Sequence, residues 1–145
     1  MKRITVVNKP FFEEVQEFLN MQQKVCIKVR GTSMRPFLHD GDMVLLVSLK
    51  TAKVCRGSIV LARTGYGVIL HRVVRINHGL VILAGDANVC RTERIAAANV
   101  IGIVAEAYRG DMTLNINSFP IRLGALFWYI VRPLRGYLLH IFSNE

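Results

Sequence analysis

Nothing in this 145-residue sequence is apolar for long enough to cross a membrane as a helix. No uncharged run reaches the roughly 18 residues a spanning segment needs. The N-terminus is basic, but its apolar run extends only from Ile4 to Val7, too short for the core of a signal peptide. The three cysteines, Cys26, Cys55 and Cys90, form no CxxC pair, which argues against a zinc site. Odd in number and far apart, they read as reduced thiols of a reducing compartment rather than a disulfide framework. Lysine is missing from most of the chain: all six lie at or before Lys53. Acids are scarce as well, 10 Asp and Glu against 19 Lys and Arg, for a net charge of +9 and a pI near 10. That balance suits a polyanion or an anionic membrane face, and composition alone does not choose between them. There is no internal repeat, no low-complexity linker and no βαβ alternation, so a parallel sheet is not expected.

What is present is a folded, β-rich chain, 52% hydrophobic. Phe11, Val15, Phe18 and Leu19 recur at helical spacing and predict one amphipathic helix from Pro10 to Gln23. "KVCIKVR" alternates, with Val25, Ile27 and Val29 on one side, as a half-buried strand does. "DMVLLVSL" is continuously apolar and reads as a buried strand. The runs "GSIVLAR", "VILHRVVRI" and "LVILAGD" are separated by short glycine turns and predict consecutive antiparallel strands. "NVIGIVAEAYR" adds another. The expected class is mainly β: an antiparallel, partly closed sheet with an N-terminal helix and a C-terminal helical segment. One domain over 1–145 is expected, with a helical region at 1–23, a β core at 24–117 and the C-terminal segment at 118–145. In that segment Pro133 should split the helix.

Between the first two strands lies "GTSMRPFLHDGD", a loop that presents Ser33. A serine nucleophile needs a base beside it, because the free hydroxyl hardly ionises at neutral pH. A lysine base on the long hairpin is excluded, since no lysine is there; Lys50 and Lys53 fall in a solvated turn. The hairpin offers His71 instead. By itself His71 also fits a locally hydrogen-bonded sheet histidine, and Asp86 in "AGDAN" also fits an Asx turn. Together, Ser33, His71 and Asp86 are the parts of a serine–histidine–aspartate arrangement. His39, His78 and His140 read as surface residues, and no metal cluster forms from them and the cysteines.

These blocks, "GTSMRPFLHDGDMVLL", "RGSIVLA", "HRVVRI" and "GDAN", resemble the type I signal peptidase family. The likeness is to its archaeal and endoplasmic-reticulum branch, which uses histidine where the bacterial branch uses lysine; LexA-like peptidases are more distant relatives. The resemblance implies a serine endopeptidase with no cofactor, Ser33 as nucleophile and His71 as general base. It also implies that Met34 and Pro36 shape the serine loop and cleft, and that the Ser33 N–H contributes to an oxyanion hole. The third member is expected to be Asp86, with Glu93, the one acid shortly after "GDAN", as the alternative. The implied partner is a polypeptide with a leader or signal peptide, bound as an added strand. Nucleic acid is not expected.

One departure keeps other readings open. The family's N-terminal membrane anchor is missing, which suits a maturation protease acting on a leader peptide inside the cell. A LexA-like self-cleaving regulator shares the serine loop, but there is room for only one helix before the first strand. An inactive basic β domain that binds an anionic surface is the non-enzymatic reading. Residues 119–142 carry Arg122, Arg132 and Arg135 among aromatic and aliphatic side chains. They are expected either to close the β core or to lie on an anionic membrane face, making the protein cytoplasmic with peripheral attachment.

Overall fold

A computed structural model describes residues 3–4, 9–88 and 91–142, without the side chains of 3, 4, 9, 119 and 142. Cys90 therefore lies outside the described residues. The chain runs β1 (Arg3–Ile4), α1 (Lys9–Asn20), β2 (Val25–Lys28), β3 (Met43–Val47), β4 (Ile59–Thr64), β5 (Gly67–Asn77), β6 (Leu80–Ala84) and β7 (Glu93–Ala96). It continues through a 3-10 turn, Ala97–Asn99, to β8 (Val100–Arg109), β9 (Met112–Leu114), α2 (Phe119–Ile130) and α3 (Arg132–Phe142). The strands form one curled half-barrel in the order β1-β2-β3-β8-β4-β5-β6-β7, with β9 on β8. Every pairing is antiparallel except the two residues of β1 on β2.

The continuous apolar runs of the sequence follow from a sheet covered on both faces. Successive strand residues point to opposite sides. Val44, Leu46, Ile59, Leu61 and Ile101 join Phe11, Val15 and Leu19 of α1 in one core. Val47, Val60, Ala62, Val73, Leu83 and Ile103 form a second core on the other face. Gly102 lets α1 come close: a Cβ there would lie 2.7 Å from Leu19 Cδ1. The β5–β6 turn places His78 and Gly79 at φ of 45° and 79°. Two successive positive φ values are what a two-residue type I′ hairpin requires, so "NHG" is a turn and its histidine faces solvent.

The serine loop is tied at both ends by the acids of "HDGD". Asp40 Oδ1 accepts from the Gly31 N–H at 2.8 Å, and Asp42 Oδ2 from the His39 N–H at 2.8 Å. Met34 and Leu38, 2% and 0% exposed, anchor the loop in the first core, while Ser33 stays exposed. The C-terminal segment is helix, break and helix as expected, with Val131 between the two. Its inner face packs down: Ala125 is buried, and Arg122 Nη2 donates to the Arg56 carbonyl at 2.8 Å.

Candidate active site

The register of β5 against β6 sorts the chemistry. Arg72 pairs with Ala84, so Gly85 falls beside His71 and Asp86 falls on the Arg72 side of the sheet. The distances agree. A Cβ built on Gly85 would lie 3.1 Å from His71 Nε2, 3.3 Å from Ser33 Cβ and 2.6 Å from the Ser33 carbonyl oxygen. His71 Nε2 and the Ser33 side chain thus both come close to one point, and only a glycine leaves that point open. The loop is fastened there by the Ala87 N–H, which donates to the Ser33 carbonyl at 2.9 Å.

On the opposite sheet face, Arg72 and Asp86 form a buried fork: Nε to Oδ1 at 2.9 Å and Nη2 to Oδ2 at 2.8 Å. Arg72 Nη1 also donates to the Gly57 carbonyl at 2.8 Å, and its guanidinium lies over the Phe37 ring. Burial pushes the Asp86 carboxyl above its ordinary value, and the Arg72 guanidinium offsets only part of that.

This corrects the expected order of the two acids. Asp86 is committed to Arg72, and the carboxylate on the imidazole is Glu93, whose Oε2 is 3.0 Å from His71 Nδ1. Pairing explains the placement. Val73 sits opposite Leu83, and Leu83 opposite Glu93. Glu93 therefore shares a face with Val73 and, two residues along β5, with His71. The same parity sends Asp86 to the other face.

A residue the sequence reading passed over completes the cluster. Tyr66, in the two-residue β4–β5 turn, donates its hydroxyl to Glu93 Oε1 at 2.8 Å. Partial desolvation and the bond to Glu93 push the Tyr66 phenol above its ordinary value. The Arg91 guanidinium lies over the ring. Each Glu93 oxygen thus has a partner, which fixes the carboxylate plane against the imidazole. The only hint in sequence was a bulky aromatic inside a "TGYG" turn, where small residues would serve. Tyr66 and Glu93 also line a cleft of about 510 Å³. Ser33 and His71 do not line it, so it lies behind the cluster rather than over it.

Pro36 is exposed and Met34 buried, so Met34 supports the loop from below. Lys50 and Lys53 line a separate groove beside Val54 and Val100. Among the described residues no group of His, Cys, Asp and Glu could hold a metal ion.

A hydroxyl, an imidazole and a buried carboxylate gathered at one end of a curled β-sheet are the parts of a nucleophilic hydrolase site. A model of the Peptidase S24-like family matches residues 5–107, and the chain belongs to that family. The family takes in LexA-like and signal peptidase I relatives, and membership points to a serine peptidase in general. No curated protein matches the chain.

Proposed function

We propose that the protein is a serine endopeptidase that removes a leader or signal peptide, with Ser33 as nucleophile, His71 as general base and Glu93 as orienting acid. The observation that carries this is the two-sided placement of His71: Nδ1 on Glu93, Nε2 beside the point that Ser33 also approaches. With Nδ1–H donated to Glu93, Nε2 is free to take the Ser33 proton as Oγ attacks the scissile carbonyl carbon. The C–N bond then breaks as the imidazolium returns that proton to the leaving amine. Water, deprotonated by the same Nε2, hydrolyses the acyl-serine. Histidine in place of lysine, together with the "SMRP", "HRVVRI" and "GDAN" blocks, favours the signal-peptidase-like substrate class over the LexA-like one.

The test is cleavage of precursor peptides by purified protein. Wild type should cut within the leader, and Ser33→Ala should abolish cutting while leaving the melting temperature in place. Full activity in Ser33→Ala would end the assignment. Intact mass of the protein incubated alone separates the self-cleaving relative: a wild-type chain that cuts itself, and no added peptide, belongs to the LexA-like mode.

A further inference from the structure

The outer face of the C-terminal helices is unlike the rest of the surface. Leu123, Phe127, Ile130, Leu134, Leu138 and Ile141 follow one another at spacings of three and four residues. All six are exposed, Phe127 and Ile130 at 64% and Leu134 at 58%. Helical hydrogen bonds bridge the break: the Val131 N–H donates to the Phe127 carbonyl and the Arg135 N–H to the Val131 carbonyl. The six side chains therefore form one stripe along both helices. A run of exposed aliphatic and aromatic groups this long marks an interaction surface.

Charge says what kind of surface it meets. From Met112 to Asn144 the chain carries no acidic residue. A cleft of about 630 Å³ is lined by Tyr129 of α2 and by Arg56, Arg75 and Arg94, with no carboxylate on its wall. Tyr129 turns from the stripe toward this cleft, and the Arg132 guanidinium lies 5.0 Å from the centre of its ring. An apolar stripe on a segment without acids, in a chain of net charge +9 with an arginine-lined cleft at α2, matches a bilayer interface with anionic headgroups. A nucleic acid would use the arginines and leave the stripe in water. The helices lie on such a surface rather than pass through it. Among the described residues no helix is long and apolar enough to cross a membrane, and Arg122, Arg132 and Arg135 interrupt this segment. The inner face is already bonded to the β core through Arg122 and Trp128.

The geometry points to α2–α3 as a docking element for an anionic bilayer, with the stripe at the acyl boundary and the arginine cleft on the headgroups. It stands independently of the peptidase reading, so its test uses no substrate. The full chain is floated with vesicles of phosphatidylcholine and phosphatidylglycerol, with phosphatidylcholine alone, and in high salt. The expected result is flotation with the anionic vesicles only, released by salt. Phe127→Glu/Leu134→Glu, both exposed positions, and separately Arg75→Glu/Arg94→Glu should each weaken binding at least about tenfold. No flotation of the wild type overturns the proposal. So does flotation that neither double variant weakens. A concentration-dependent dimer without flotation assigns the stripe to a second copy of the chain, and RNA binding without flotation assigns the arginines to nucleic acid; either also overturns it.

Discussion

At the scale of single residues, two adjacent pairs divide the labour. In "HR" and "GD" one member faces Ser33 and the other faces the fold: His71 and Gly85 border the open point beside Ser33, while Arg72 and Asp86 grip each other on the other face. The two acids should therefore fail in different ways. Glu93→Gln leaves a similar shape but no charge for an imidazolium, and peptide cleavage should fall by about 10³- to 10⁴-fold with little change in urea midpoint. Asp86→Asn strands the buried Arg72 charge and should cost about 3–5 kcal/mol of stability, as breaking a buried pair does. Chemical denaturation and kcat on the same two variants read both effects. Loss of activity without loss of stability in Asp86→Asn would return the orienting role to that residue.

At the scale of elements, the site depends on how closely the end of β6 meets the serine loop. Gly85 has no positive φ, so its backbone accepts a side chain. What it lacks is room, with the Ser33 carbonyl 2.6 Å from the added Cβ. Gly85→Ala should displace the loop, lower kcat by about 10²-fold and leave the circular dichroism spectrum unchanged, since displacement of reacting groups by about an ångström costs that much. An active Gly85→Ala would mean that the loop is not held at this point. The strands that frame the site were legible in sequence, because β3 to β6 and β8 carry long apolar runs bounded by glycine turns. The four-residue β7 was not. "ERIA" is too short to show a period, and it earns its place only by pairing with β6. With β7 unseen, Asp86 looked nearest to His71 because it ends the neighbouring strand, and an unbroken count from the two-residue turn pairs the two; the irregularity between Val73 and Arg75 sets Arg72 opposite Ala84 instead and turns Asp86 to the other face. Tyr66 was illegible for a different reason: its role exists only once Glu93 has been carried back beside the β4–β5 turn.

At the scale of the whole molecule, the serine loop is also held from far away in sequence. Arg109, at the end of β8, donates to both oxygens of the buried Asp42 at 2.9 and 2.8 Å. Burial pushes the Asp42 carboxyl up, but the Arg109 guanidinium and the His39 N–H together outweigh it and hold the carboxyl below its ordinary value. A carboxyl depressed in the folded state stabilises above its unfolded value, about 3.9, and loses that contribution as pH falls through the folded value. Asp42→Asn should therefore unfold at lower urea than wild type at pH 7, with the gap closing as pH drops below about 4. A gap that is constant with pH would show that the ionised pair is not its source.

Trp128 is the only tryptophan in the chain. Its indole N–H donates to the Asp86 carbonyl at 2.9 Å, beside the Arg135 guanidinium, which lies 4.1 Å from the ring centre and donates to the same carbonyl. The backbone between Gly85 and Ala87, which borders the open point next to Ser33, is thus wired to a single chromophore. The protein carries its own optical gauge: ultraviolet emission, with no label attached, registers whenever a peptide or a surface disturbs that short stretch of main chain.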